Sequence, residues 1–125
     1  MHSLADEFAH CTDVSFKIVY IAEAHASDVW PISSAPYASD GQPVDVRAPT
    51  TTRERQAVAA EFVRQYNVRL PLVVDGIADE FEQAMSPWPI RFYAVEDGRL
   101  AFLAQPNGCS YSLSGLREWL IARQS

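Results

Sequence analysis

Leu4, Ala5, Phe8, Ala9 and Cys11 recur at helical spacing and predict a short amphipathic helix over residues 2–11. Residues 16–22 (Phe-Lys-Ile-Val-Tyr-Ile-Ala) are a nearly continuous β-prone run, the pattern of a strand buried on both faces. A long stretch rich in Pro, Ser, Asp and Gly follows from Asp28 to Pro49, and loops of that length inside compact domains are usually functional. Thr51 and Glu54 then fit a capping box, opening a helix with an apolar stripe of Val58, Ala59, Phe62, Val63 and Tyr66. Leu70 to Asp75 reads as a second buried strand and Ala78 to Met85 as a short helix. Ser86-Pro87-Trp88-Pro89 must turn, because two prolines forbid helix there. Ile90 to Val95 and Arg99 to Ala104 flank Glu96-Asp97-Gly98, a hairpin signal that rests on the positive φ Gly98 tolerates. Leu113, Leu116, Trp119 and Leu120 form the stripe of a last helix. The order α-β-α-β-α-β-β-α predicts an α/β fold with parallel strands joined by right-handed crossovers and an antiparallel hairpin at its edge.

Length and composition narrow the classes. At 125 residues, 48% hydrophobic and 21% charged, the chain is an ordinary globular sequence, expected to form one domain. No apolar run approaches the length that spans a bilayer, and the N-terminus has no signal-peptide pattern, so cytoplasmic residence and no membrane partner are expected. A net charge of −6 without a basic patch argues against nucleic acid. Cys11 and Cys109 stand alone, outside any Cys-x-x-Cys or zinc-ligand spacing, and idle thiols are their plainest reading. No metal or cofactor is expected.

The chemistry-bearing residues gather where the first strand gives way to the long loop. Residues 20–30, Tyr-Ile-Ala-Glu-Ala-His-Ala-Ser-Asp-Val-Trp, leave the strand at the end where open parallel sheets collect their ligands. An imidazole as a group type titrates near neutrality, so His25 is a natural candidate for general acid or base work, with Glu23 or Asp28 as a carboxylate that could fix its tautomer. A lone histidine in such a turn is also commonly structural. Arg91 is a fixed cation which strand alternation puts on one face with Tyr93 and Val95. It could hold a carboxylate or phenolate, or pair with Asp75 or Asp79.

The element order, with Pro89 before the penultimate strand and Gly98 at the hairpin, resembles the second part of a thioredoxin fold. That resemblance implies a mixed sheet with flanking helices and a cis bond at Pro89 facing the redox site. Residues 20–28 followed by Trp30 are similar to the Y-I-x-E-A-H-x-S-D-G-W segment of the iodothyronine deiodinases, selenoenzymes that reductively remove iodine from thyroid hormones; Val29 stands where the family has Gly. The resemblance continues through Arg53-Glu54-Arg55, residues 72–75 (Leu-Val-Val-Asp), residues 89–93 (Pro-Ile-Arg-Phe-Tyr) and the stretch from Tyr111 to Leu120. It implies proton transfer and substrate contact for His25 and a clamp on the substrate's phenol end by Arg91; Glu23 is expected beside His25 as a catalytic residue, and Trp30 and Ser27 beside Arg91 as substrate contacts. A second clamping histidine of the family has no counterpart, since Pro49-Thr50-Thr51 occupy that stretch, and the glycine-rich segment after the hairpin is changed to residues 104–110 (Ala-Gln-Pro-Asn-Gly-Cys-Ser).

In the family a strand ending in a selenocysteine or cysteine segment comes immediately before the first helix, whereas this sequence opens with that helix. The N-terminal strand is therefore read as missing, with truncation at an internal Met as the expected reason. Reductive dehalogenation needs a soft, largely ionised chalcogen, and Cys11 is poorly placed to be one. The leading expectation is a deiodinase-like oxidoreductase domain without its nucleophile. Its partners would be a small phenolic or iodinated aromatic substrate and a thiol reductant, with a homodimer as one compatible assembly. A ligand-binding thioredoxin-like module without catalysis, and a thiol redox protein using Cys11 and Cys109, are the alternatives.

Overall fold

The computed structural model describes residues 1–31, 41, 44–108 and 110–124. Its elements follow the expected order: α1 (His2–Glu7), β1 (Ile18–Tyr20), α2 (Thr52–Gln65), β2 (Leu72–Val74), α3 (Glu80–Met85), β3 (Tyr93–Glu96), β4 (Arg99–Leu103) and α4 (Ser114–Gln124). The α/β class, the small sheets and the flanking helices are those of a thioredoxin-like chain, and the parallel and antiparallel pairings occur as two separate two-stranded sheets. The described chain divides into two compact units, Asp13–Trp88 and Met1–Thr12 together with the chain from Pro89 onward.

In the unit Asp13–Trp88, β1 and β2 run parallel with Ile18 opposite Leu72 and Tyr20 opposite Val74. The connection between them contains α2, as parallel pairing requires. Thr51 and Glu54 make the full capping box: the Thr51 hydroxyl accepts the Glu54 N–H at 3.1 Å and the Glu54 carboxylate reaches back to the N–H groups of Thr50 and Thr51. The inward stripe of α2 begins earlier than its apolar residues. Arg55, one turn before Ala59 and two before Phe62, is 3% exposed, and its Nη1 donates to the carbonyls of Asp75 (3.1 Å) and Gly76 (2.7 Å) and to Asp79 Oδ1 (2.7 Å). Asp75 is buried as well, its two carboxylate oxygens accepting the N–H groups of Phe81 and Glu82 at 3.0 and 3.1 Å. That cap explains why α3 starts at Glu80 rather than at Ala78: the helix begins where Asp75 can satisfy its first donors, after Asp79 has turned into the left-handed region. Tyr20, Phe62 and Tyr66 pack ring against ring, with centroids 5.6 and 5.1 Å apart.

The second unit is built on Leu4, Phe8, Leu116 and Leu120, all buried. The α1 helix ends at Glu7 instead of continuing to Cys11, because Ala9 and Cys11 bond back to Asp6 and Phe8 as three-residue turns. Phe8 still reaches the core from the first of these turns. Glu7 and Arg117 form a two-bond ion pair at 2.9 and 2.6 Å between α1 and α4. The hairpin turns through Asp97 and Gly98, both with positive φ, and pairs Tyr93 with Leu103 and Glu96 with Arg99. Arg123 bridges Glu96 and covers the Trp119 ring at 4.0 Å.

Three expectations are corrected. The strands are shorter than their apolar runs and half-buried rather than covered on both faces, with Val73 45% exposed. A strand is buried on both faces only where layers cover both, and among the described residues each sheet has two strands. Arg91 lies before β3, not within it, so strand alternation does not set it on one face with Tyr93 and Val95; the hairpin's one register shift, past Ala94, leaves Ala101 of β4 without a partner. Asp75 and Asp79 serve α3 and Arg55, not Arg91.

Two stability measurements follow. Thr51→Ala should lose about 1 kcal/mol in urea unfolding. Hydrogen bonds from Thr50 hold the Glu54 carboxyl below its ordinary value, so its contribution is full above that value and is lost as pH falls through the lowered one. The gap in Tm between the wild type and Glu54→Gln should accordingly be constant near neutrality and close in acid. Arg55→Met should cost at least about 2 kcal/mol, because buried carbonyls lose their donor, and Arg55→Lys should recover only part of it.

Candidate functional site

The site is built where β1 runs out. Beyond Tyr20 the chain turns through residues 26–30, with the N–H groups of Val29 and Trp30 both donating to the Ala26 carbonyl at 3.1 and 3.0 Å. Ala26, 1% exposed, is the buried pin of this turn, and its neighbours His25 and Ser27 face solvent. The His25 Nδ1 lies 3.2 Å from the Trp30 carbonyl oxygen. A carbonyl only accepts, so Nδ1 carries the proton and Nε2 presents the lone pair of the neutral ring or the transferable proton of the imidazolium. The imidazole also rests against the Trp30 ring, centroids 4.8 Å apart, and Trp30 stacks on Trp88 at 6.3 Å with planes 23° apart. Trp30 and Trp88 are 57% and 39% exposed, so His25 stands at the end of an aromatic ledge open to solvent.

The two carboxylates expected to orient His25 have other partners. Asp28 Oδ1 accepts the Ala48 N–H at 2.8 Å and Oδ2 lies 3.7 Å from Arg47 Nε. Glu23 turns inward against Tyr20. Burial first, then the Glu23 charge and a hydrogen bond to it, push the Tyr20 phenol above its ordinary range, with Arg55 opposing. Glu23 Oε1 and Arg55 Nε are buried without a hydrogen-bond partner among the described residues. Ser27 is held through its backbone, its N–H donating to the Val46 carbonyl at 2.8 Å.

Arg91 belongs to the other unit. Its Nη1 donates to the Ile90 carbonyl at 2.9 Å, and Arg91 borders a shallow, solvent-open depression with Phe92, Gln105, Pro106 and Tyr111. Exposed Pro89 precedes it. Cys11 is half-buried and its Sγ accepts a hydrogen bond from the Gln124 amide, while Cys109 lies outside the described residues. No group of three or more His, Cys, Asp or Glu that could hold a metal ion is found among the described residues, and none of the helices described is long and apolar enough to cross a membrane.

Sequence reasoning missed Trp88, which it read only as part of a proline turn, and the hub made by Arg55 and Asp75. Trp88 is held by its own N–H, donated to Glu82 Oε2 at 3.1 Å, beside the buried Pro87. A signal for Arg55 existed in the helical periodicity, since a cation four residues before Ala59 and seven before Phe62 falls on the inward stripe.

Comparison with known proteins places the chain. A family model described as iodothyronine deiodinase matches residues 1–124. Thyroxine 5-deiodinase of Sus scrofa is 30% identical over 108 residues, covering 86% of this chain and 33% of its own length. The Rattus norvegicus protein is 31% identical over the same shares, and that of Gallus gallus 29% identical over 117 residues, 94% of this chain and 42% of its own. The chain thus spans about a third of the length of the mammalian relatives it matches.

Alkaline spectrophotometric titration tests the inward packing of Tyr20. The wild type should show a phenol that ionises above the ordinary tyrosine range, and Tyr20→Phe should remove that late step. Because the folded state holds this proton more tightly than the unfolded chain, the contribution is complete below the ordinary phenol range and declines as pH rises through it.

Proposed function

The chain belongs to the iodothyronine deiodinase family, and from that premise we propose that it is the proton-handling and substrate-contacting part of an oxidoreductase that reductively dehalogenates iodinated phenols. The observation that carries this reading is His25: an exposed imidazole with Nδ1 committed to a backbone carbonyl and Nε2 turned to other work, at the end of an aromatic ledge. In the proposed reaction a chalcogenolate takes the halogen from carbon, the carbon–iodine bond breaks, and the electron pair left on the ring carbon accepts the imidazolium proton. Two thiols of a reductant then return the chalcogen to its starting state, releasing iodide and forming a disulfide. His25 supplies the proton, Trp30 and Ser27 bound the ring, and Glu23 is a second residue of the site, acting from beneath through Tyr20. Arg91 draws an ionised phenol by its fixed charge. The 125 residues alone are proposed to be inactive, because neither cysteine stands where the family places its chalcogen.

The test is a fusion that joins a strand ending in a cysteine turn ahead of Met1. With a dithiol and 3,5-diiodotyrosine, the fusion should release iodide where the 125-residue chain does not. His25→Ala should lower kcat on the order of a hundredfold through lost proton transfer. Arg91→Ala should raise KM for the ionised phenol more than for its methyl ether. Equal iodide release after both substitutions would remove the roles given to these residues. Iodide release by the unfused chain, lost in Cys11→Ser, would overturn the proposed inactivity.

A further inference from the structure

We propose that Asp28 is the positioning residue of His25, setting its tautomer by fixing the turn whose last carbonyl the imidazole binds. This deepens the proposed function, since it rests on reading His25 as the proton-handling group.

The acceptor of His25 Nδ1–H is the carbonyl of the Trp30–Pro31 peptide. Proline has no N–H, so this peptide group has no donor of its own by which the fold could hold it. Among the described residues, those that orient it come before it. Inside the turn that task falls to the Ala26 carbonyl, which takes the Val29 and Trp30 N–H groups. Those bonds shape the turn but do not fasten it to anything else. Among the described residues it is fastened by two hydrogen bonds across about twenty residues, Ser27 N–H to the Val46 carbonyl and Ala48 N–H to Asp28 Oδ1, both 2.8 Å. The first joins backbone to backbone and any residue at 27 except proline could make it. The second depends on the side chain at 28. The segment it grips leads within three residues into the capping box of α2, the helix that also carries Arg55. Asp28 therefore ties the His25 turn to the best-anchored helix of its unit. Its carboxyl is held below the ordinary range chiefly by the Ala48 N–H, so the acceptor is ionised throughout neutral pH. Arg47 is too exposed to add much to this grip.

The hydrogen bond, not the charge, is the necessary part, which separates the substitutions. Asn at 28 still offers a carbonyl oxygen to Ala48 N–H, whereas Ala does not. Ala48→Pro removes the donor and leaves Asp28 intact. The readout is the ring-nitrogen NMR signature of His25 in the 125-residue protein, assigned with His25→Gln, at a pH where the imidazole is neutral. In the wild type and in Asp28→Asn the Nδ1–H form should predominate; in Asp28→Ala and in Ala48→Pro that predominance should be lost in favour of Nε2–H. An unchanged tautomer in either folded variant overturns the proposal, as does an Asp28→Asn ring that behaves like Asp28→Ala. If both disruptive variants fail to fold where Asp28→Asn folds, Asp28 is a stabiliser of the fold and the positioning role is overturned. The measurement uses no halogenated substrate, so its failure leaves the dehalogenation reading standing, and failure of the fusion to release iodide leaves the tautomer result standing.

Discussion

The unit Asp13–Trp88 depends on one buried cation. Removing a guanidinium from water is costly, and the cost is offset only where nearly every nearby acceptor is aimed at it. Arg55 finds two backbone carbonyls and a carboxylate at the point where β2 gives way to α3. Those carbonyls could not be buried without a donor, and Arg55 could not be buried without them. Asp75 completes the junction from the other side by capping α3, so that α2, the end of β2 and the start of α3 share one polar hub. The Thr52 hydroxyl, accepting the Ile77 N–H at 2.9 Å, adds a second tie between α2 and the same junction. Among the described residues the buried apolar side chains of this unit are small, Ala26, Ala59 and Pro87, and around them directional bonds set the geometry where bulk burial does not.

This division of labour suits the site. A hub of directional bonds leaves its elements little freedom to slide, and the turn that carries His25 is exposed above it. Function placed on a turn held by a rigid base is a common arrangement, because an exposed group can meet a ligand while its backbone stays fixed. The aromatic ledge extends the same logic. Trp88 is fastened through its N–H to Glu82, on the helix that Asp75 caps, so the ring that supports Trp30 is also tied to the hub.

The other unit is held differently. Its core is leucine and phenylalanine, and its ion pairs, Glu7 with Arg117 and Glu96 with Arg123, lie on the surface where solvent screens them. They orient α1, α4 and the hairpin more than they stabilise them. The same contrast appears in the sheets, since a two-stranded sheet is marginal by itself and relies on the helices packed against it. The membership in the deiodinase family, shared with relatives about three times as long, is carried by both units.

Local chemistry made much of this chain legible from its residues alone. The capping box at Thr51 and Glu54, the Asp97-Gly98 turn and the order of the elements depend on neighbours within a few positions, and the structure bears them out; the family was legible in the same way, and the family model over residues 1–124 bears that out. Element ends, strand burial and the partners of charged groups were decided by residues distant in sequence. Asp75 sets the start of α3 from outside it, β3 begins only at Tyr93 and so leaves Arg91 outside the alternation, and Arg55 takes Asp79. His25 shows the boundary most clearly. Its identity and its place after β1 could be read from the sequence, but not that a backbone carbonyl would hold its Nδ1 while both neighbouring carboxylates turned elsewhere. A side chain's type is local, whereas the acceptor it finds depends on which backbone groups the fold leaves unpaired, and only the tertiary structure settles that.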